Sequence, residues 1–160
     1  MQTAVGGTQS TKIMTKELWL NLPVKDIAKS KEFFTQLGFS FNTEHGDSDE
    51  SACLLVGAKN VVVMLFAESM FQGFTKNEIA DTAKGTEVLL SFDAESKEEV
   101  DEFAQKAAAA GGTIFSEPAE IQGWMYGCAF SDLDGHRWNA LYMDMGKMAE
   151  LRENEETKCP

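Results

Sequence analysis

The residues just before the last apolar stretch of the chain have types that could bind a metal ion. In SDLDGHRWNALYMD (131–144), Asp132, Asp134 and Gly135 stand within four positions of one another. A twelve-residue calcium loop with Gly135 in its sixth place needs oxygen ligands at its first and twelfth places, and apolar residues occupy both. The spacing therefore favours a turn in which the aspartates accept hydrogen bonds from backbone amides and the glycine takes a positive φ.

Other residue types that commonly carry chemistry are few. The two histidines, His45 and His136, stand in turn-like stretches without a neighbouring nucleophile, which favours hydrogen-bonding surface residues. The three cysteines are odd in number and widely spaced, with no C-x-x-C pair. We therefore expect neither a disulfide framework nor a thiolate zinc site, and free thiols fit a reducing cytoplasm.

The acidic composition narrows the classes of partner. The 160 residues carry a formal net charge of −12, which would repel the phosphates of a nucleic acid and attract a cationic small molecule. Solubility alone also explains such a charge. No apolar run approaches the ~20 residues of a membrane span, and the first residues do not resemble a secretory signal. We therefore expect a cytoplasmic protein with no nucleic-acid or membrane partner.

The first half of the chain reads as a strand, a helix and three strands. The alternation in ELWLNLPV (17–24) predicts a strand with Leu18 on its apolar face and Trp19 and Asn21 on the other. Asp26 can cap the helix that follows, and a glycine ends that helix. Three short strand-like runs come next: FSFNTE, SACLLVG and NVVVMLFA.

The same order returns about 70 residues later. TEVLLSFD (86–93) predicts a strand, a capping box at Ser96 and Glu99 begins a helix, and three strand-like runs end with RWNALYMD. The repeat predicts an α+β fold with two tandem modules of the order βαβββ, at about 17–67 and 86–144.

Three further segments complete the predicted organisation of the chain. Residues 1–16 indicate a flexible lead-in to a single domain over 17–146. The linker 68–85 predicts a short helix or a lid, with a capping residue at Thr75. Residues 147–160 indicate a flexible acidic tail.

Two stretches, NLPVKDIAKSKEFFTQLGF and SDLDGHRWNALYMD, carry a family resemblance. They are similar to the first strand and helix, and to the closing strand, of the vicinal oxygen chelate superfamily, whose members include glyoxalases, bleomycin resistance proteins, extradiol dioxygenases and epimerases. MYGCAFSDLDGHRW resembles a glyoxalase-like bacterial subgroup. The resemblance covers about residues 17–144 and implies that the two modules form a cup-like pair of half-barrels. The resemblance does not identify an activity, because proteins with one fold can catalyse many different reactions.

The resemblance also implies where a metal would bind. Metal-dependent members place four ligands in the cup, and counting along the motifs puts those positions at Trp19, Met64, Glu87 and Asn139. Only Glu87 is a good ligand for a hard metal, although Asn139 could offer a carbonyl oxygen. One carboxylate does not hold a divalent ion against its hydration. We therefore expect no metal site and no other cofactor, with a divalent metal as the disfavoured alternative.

The polar and aromatic residues of the predicted cup each admit two interpretations. Glu87 is either a solvated carboxylate or, if Trp19 and Trp124 desolvate it, a general base or the partner of a cationic ligand. Trp19 either lines the pocket or packs against the other module, and Trp124 either forms the pocket rim or packs within a hairpin. Asn21 and Asn139 need partners if they are buried, and a ligand could be one.

These considerations predict a small-molecule-binding protein of the glyoxalase/bleomycin-resistance type that forms a homodimer. Its ligand would be hydrophobic or aromatic and would carry a positive charge. The predicted ligand-binding residues are Trp19, Asn21, Met64, Glu87, Trp124 and Asn139. Two alternatives stay open. One is a glyoxalase-like lyase or isomerase with Glu87 as its catalytic acid/base, with or without a divalent metal, and the other is a dimeric scaffold with a vestigial pocket.

Overall fold

Each half of the chain folds as a strand, a helix and three further strands, which confirms the predicted α+β fold of two tandem modules. The computed structural model describes residues 14–157, so most of the predicted lead-in and the last three residues lie outside it. The first module and the helix after it contain β1 (Leu20–Val24), α1 (Ile27–Gln36), β2 (Ser40–Asn42), β3 (Ser51–Val56), β4 (Val61–Ala67) and α2 (Glu68–Thr75). The second module and the helix after it contain β5 (Leu89–Asp93), α3 (Lys97–Ala109), β6 (Thr113–Ile121), β7 (Met125–Ser131), β8 (Arg137–Met143) and α4 (Met145–Glu156).

The two modules form sheets with the same topology. The strand order is β1-β4-β3-β2 in the first sheet and β5-β8-β7-β6 in the second. In each sheet the first strand of the module pairs in parallel with the last, and the remaining pairs are antiparallel. Both sheets are open, and β1 and β5 are edge strands. The shared order confirms the internal repeat.

The helices begin where the sequence provides side-chain caps. Asp26 accepts a hydrogen bond from the backbone amide of Lys29 at 3.0 Å, and Ser96 accepts one from Glu99 at 3.1 Å. The Glu99 carboxylate reaches back to the amide of Glu95 at 2.6 Å. Both helix starts therefore satisfy amides that the first turn would otherwise leave unpaired.

One hydrophobic core joins the two modules. Phe33 and Phe34 of α1 are each 1% exposed and pack on the apolar face of the first sheet. The ring of Phe34 also lies 5.3 Å from that of Trp138 on β8, and Phe33 lies 6.4 Å from Phe130 on β7. Because α1 contacts residues of both sheets, the modules are packed together rather than joined only by their linker.

The two edge strands begin later than the alternation predicts. β1 begins at Leu20, so Leu18 and Trp19 precede the strand and are 78% and 60% exposed. The expected core position for Leu18 is therefore wrong. β5 likewise begins at Leu89, which leaves Glu87 in the approach to the strand. An edge strand has a neighbour on one side only, so its first residues gain few ladder hydrogen bonds.

The two helices outside the repeat match expectation only in part, since a short helix in the linker was predicted but its position was not. α2 follows β4 directly and ends at Thr75, so the predicted capping role of Thr75 is wrong. Lys76 ends the helix instead, with a left-handed φ of 54°. Asp144 accepts a hydrogen bond from the amide of Lys147 and begins α4 where a flexible tail was expected. Among the described residues, no helix is long and apolar enough to cross a membrane.

Candidate functional site

An open cavity of about 510 Å³ lies between the two edge strands, β1 and β5. Its apolar lining includes Leu20 and Phe71, and its polar lining includes Asn21 and Glu87. The linker after α2 passes along one side, and the turn before β8 closes another. The cavity is therefore built from both modules and from the segment that connects them.

The linker is attached to the turn before β8 by a threonine. The hydroxyl of Thr82 donates a hydrogen bond to the carbonyl oxygen of Asp134 at 2.8 Å. Gly135 has a φ of 84°, and a Cβ added to it would lie 2.4 Å from the Thr82 hydroxyl oxygen. The close approach of these two segments depends on the missing side chain at Gly135.

The aspartate-rich turn is held from within by Asp132, which is 6% exposed. Its Oδ1 accepts hydrogen bonds from the amides of Asp134 and His136, each at 3.0 Å. Its Oδ2 accepts one from the indole Nε1 of Trp138 at 3.1 Å. Burial raises the pKa of the Asp132 carboxyl, and His136 and these donors oppose that shift. These contacts, with the positive φ of Gly135, confirm that the motif is a hydrogen-bonded turn.

The same turn binds the first module. Asp134 accepts a hydrogen bond from the amide of Lys25 at 2.8 Å and one from the Ser30 hydroxyl at 3.4 Å. The Nε2 of His136 lies 2.7 Å from the carbonyl oxygen of Pro23 and must donate to it, because a carbonyl can only accept. His136 therefore forms a hydrogen bond, as expected, but it does not lie freely on the surface. It is half-buried and joins the two modules.

The structure brings two of the predicted ligand-binding residues to the cavity. Asn21 on β1 and Glu87 before β5 both line it, and both are exposed. Trp19 lies beyond the start of β1, where its indole nitrogen donates to the Glu17 carboxylate at 3.2 Å. Neither Trp19 nor Trp124 is among the lining residues, so neither indole desolvates Glu87 within one chain. Glu87 is consequently a solvated carboxylate at the mouth of the cavity.

Trp124 lies at the far end of the second sheet. It follows the left-handed pair Gln122 and Gly123 in the β6–β7 turn, and its carbonyl accepts a hydrogen bond from the amide of Asp144 at 2.9 Å. Asp144 follows the last residue of β8, whereas Arg137 at the start of β8 lines the cavity. Seven strand residues span roughly 20 Å, so one chain does not bring Trp124 to the cavity.

Met64 lies beside Asn21 in the first sheet but under a loop. The two residues are register partners in the β1–β4 pair, and Met64 is half-buried. A Cβ added to Gly46, in the loop between β2 and β3, would lie 2.9 Å from the Met64 methyl carbon. The Ser51 hydroxyl fixes this loop by donating to the Gly46 carbonyl at 2.9 Å. The loop backbone therefore covers Met64.

Asn139 lies on the face of β8 that points away from the core, with Arg137 two residues before it. The Asn139 amide donates to the Ser91 hydroxyl at 3.5 Å, the limit of a hydrogen bond. The guanidinium carbon of Arg137 lies 4.2 Å from the centre of the Phe115 ring on β6. Sequence reasoning missed Arg137, although the alternation that selects Asn139 for this face also selects Arg137.

The donors at the four counted positions do not fit a divalent metal. Trp19 has no ligating atom, Met64 offers a soft sulfur, and only Glu87 contributes a carboxylate. Within residues 14–157, no three or more side chains of the His, Cys, Asp or Glu types are gathered as a metal site requires. We therefore assign no chemical step to a metal ion.

Known proteins resemble this chain in sequence and in fold. Residues 16–57 match the model of the bleomycin resistance protein-like N-terminal family. No curated protein matches the chain. The chain is 34% identical to a hypothetical protein of S. aureus whose solved structure superposes with a TM-score of 0.72, over 81% of this chain and 95% of that one.

Two further solved structures have the same fold. A glyoxalase/bleomycin resistance protein/dioxygenase family enzyme of Burkholderia phytofirmans PsJN is 24% identical, with a TM-score of 0.65 over 78% of this chain and 96% of its own. The fosfomycin resistance protein FosX of Listeria monocytogenes, complexed with Mn(II) and sulfate, is 17% identical, with a TM-score of 0.62 over 88% and 99%. The paired βαβββ modules and these structures together show that the chain has the fold of the vicinal oxygen chelate superfamily, and residues 16–57 match a family model of that superfamily.

Proposed function

We propose that the cavity between β1 and β5 binds a small organic molecule without the help of a metal ion. The observation that supports this is the cavity itself, whose volume of about 510 Å³ lies within the usual range of small-molecule sites. Its lining combines apolar side chains such as Leu20, Phe71 and Val88 with a few polar groups. This combination suits a ligand with an apolar or aromatic body and one or two polar groups.

The charges around the cavity favour a ligand that carries a positive charge. The carboxylates of Glu78 and Glu87 both belong to the lining, and neither forms an ion pair with a described residue. Arg137 also contributes to the lining, but its guanidinium lies over Phe115 on β6, on the side of β8 that is opposite to β5. Its charge is therefore directed away from β5 and from Glu87 beside it, and the net charge of −12 would draw a cation in.

The exposed face of the second sheet supports a homodimer. Leu89, Phe115 and Met143 are large apolar residues of this sheet, and they are 49%, 43% and 42% exposed. Both sheets also have open edges. Apolar surface of this kind is usually covered in soluble proteins, and a second copy of the chain would cover it symmetrically.

Replacement of Glu87 by Gln tests the binding proposal. Calorimetric titration of a panel of aromatic amines would measure affinity for the wild type, Glu87→Gln and a matched control, Glu98→Gln, which changes the same charge on α3. Because Glu87 is exposed, we expect a loss of only about two- to fivefold in affinity for the cationic ligands. The control should bind as the wild type does.

Two results would contradict the proposal. Equal binding by wild type and Glu87→Gln would show that Glu87 is not part of the binding site. If no compound of the panel binds to the wild type, the cavity is not a binding site for such ligands. The enzymatic alternative makes a different demand. A general acid/base at Glu87 predicts that Glu87→Gln abolishes turnover of a bound substrate while its affinity stays nearly unchanged.

A further inference from the structure

Residues 76–88, between α2 and β5, form much of the cavity wall but contain no helix or strand. They contribute both carboxylates of the lining, Glu78 and Glu87. All of these residues are exposed except Ile79 and Thr82, which are half-buried. The segment therefore covers the cavity while it buries little of its own surface.

Within the part of the chain that the structure describes, a single hydrogen bond joins this segment to a module. The Thr82 hydroxyl donates it to the carbonyl oxygen of Asp134 at 2.8 Å. The other hydrogen bonds of the segment, and its one ion pair, link residues no more than four positions apart. Such local contacts shape the segment but do not prevent it from moving as a whole.

The turn that accepts the Thr82 hydrogen bond is fixed in place. The Asp134 carboxylate accepts a hydrogen bond from the amide of Lys25 in the first module, and the buried Asp132 holds the turn from within. A Cβ added to Gly135 would lie 2.9 Å from the Cβ of Thr82, so the threonine packs directly against the turn. The hydrogen bond therefore joins a loosely held segment to a firmly held one.

The helix before the segment is also weakly attached. α2 has no buried residue and no side-chain hydrogen bond at its N-terminus, and Gly73 within it disfavours helix. Phe74 is 64% exposed, and its ring packs on that of Phe66 with 5.2 Å between the centres. Segments with so few buried contacts are those that open locally while the rest of a protein stays folded.

We propose that α2 and the segment after it, residues 68–88, form a flap that opens the cavity while both modules stay folded, with the Thr82–Asp134 hydrogen bond as its latch. The opening follows from the contacts of the flap alone, whereas its role in admitting a ligand rests on the proposed function of the cavity. Because the flap carries Phe71 and Glu78, the binding site is complete only when the flap is closed. A ligand would enter and leave through the open form and would hold the closed one.

Brief digestion of the native wild-type protein with trypsin tests the flap without any ligand. Lys76 and Lys84 lie in the flap, and Lys59, in the turn between β3 and β4, is an equally exposed site outside it. Cleavage of a locally opened segment follows the population of its open form when opening is fast. We expect cleavage at Lys76 and Lys84 well before Lys59, whose turn joins two paired strands. Cleavage at Lys59 as early as in the flap would overturn the proposal.

Replacement of Thr82 tests the latch. Thr82→Val keeps the shape of the side chain but removes the donor, and the net value of one hydrogen bond corresponds to cleavage about 2- to 10-fold faster at Lys76 and Lys84. Thr82→Ser keeps the hydroxyl and should be cleaved at nearly the wild-type rate. Thr35→Val, on the exposed side of α1, is the matched control and should leave the rate unchanged. An unchanged rate for Thr82→Val, or an equal increase at Lys59, would refute the latch.

Binding kinetics separate the flap from the proposed function of the cavity. NMR exchange measurements with benzylamine would give its association and dissociation rates for the wild type and Thr82→Val. If the ligand passes through the open form, both rates should rise by the same factor as cleavage, while the dissociation constant changes much less. Faster cleavage with unchanged binding rates would refute the flap as the ligand's route. If benzylamine does not bind the wild type, the result counts against the binding proposal, and the cleavage rates alone still decide whether the flap opens.

Discussion

Replacement of Asp132 by asparagine is a direct test of how the turn joins the two modules. The carboxylate accepts three hydrogen bonds while only 6% exposed. Asparagine can keep its carbonyl oxygen on the amides of Asp134 and His136. It then places an NH2 group 3.1 Å from the indole nitrogen of Trp138, where two donors face each other. The buried indole N–H therefore loses its acceptor.

The expected cost follows from these contacts. A buried donor without a partner costs about 1–3 kcal/mol, so Asp132→Asn should lower the free energy of unfolding by about that amount. Burial raises the pKa of the Asp132 carboxyl, so the folded protein disfavours its charged form. The neutral asparagine avoids that penalty, which lowers the net cost of the substitution. Asp132→Ala leaves all three donors without this acceptor and should cost about 3–5 kcal/mol.

Urea unfolding followed by circular dichroism, at a fixed protein concentration because of the expected dimer, would measure these values. Trp138→Phe removes the indole donor while keeping an aromatic ring, so it supplies the second side of a double-mutant cycle. In that background Asp132→Asn should cost at least about 1 kcal/mol less than in the wild type. The same cost in both backgrounds, or a cost below about 0.5 kcal/mol in the wild type, would refute the assigned contacts.

Four other predictions concern separate features of the molecule. Gly135→Ala should destabilise the protein by about 2–4 kcal/mol, because its φ is 84° and its Cβ would meet Thr82, and Thr82→Gly should relieve part of that cost in urea unfolding. Burial raises the pKa of the Cys128 thiol to about 11, so the unfolded chain should ionise first. The free energy of unfolding should then fall as pH rises from 9.0 to about 11, more in the wild type than in Cys128→Ala. Elemental analysis of untagged protein should find no near-stoichiometric zinc, nickel, iron or manganese, and finding one would contradict the metal-independent proposal. Light scattering should give the mass of a dimer, and a monomer at micromolar concentration would contradict the proposed assembly.

The local patterns predicted much of the fold because they act over a few residues. Asp26 and Ser96 cap helices as expected, since a capping side chain bonds to an amide only three positions away. The turn at Gly135 was also predictable, because its hydrogen bonds lie within five residues. The residues at which β1 and β5 begin were not predictable, since alternation does not reveal that a strand lies at a sheet edge.

The candidate site was only partly predictable for a related reason. Alternation places Asn21 on the non-core face of β1, but it does not show that the loop at Gly46 covers Met64 or that roughly 20 Å separate Trp124 from the cavity. Whether the buried Nε of Arg137 has a hydrogen-bond acceptor, which it lacks among residues 14–157, depends on every neighbour that folding brings near it. Such facts require distances between residues that are far apart in sequence.

By itself, the sequence determined the repeat of two βαβββ modules and the hydrogen-bonded turn, and its motifs indicated the superfamily by resemblance. The repeat and the turn rest on the period of apolar residues and on contacts between near neighbours along the chain. Only the tertiary structure decided that His136 and Asp134 join the modules, that the cavity lies between two edge strands, and that Arg137 faces away from Glu87. The physical reason is that packing across the whole molecule decides which residues are buried and which groups a charge contacts. The hydrogen bond between Lys25 and Asp134, for example, joins residues that are more than a hundred positions apart in the chain.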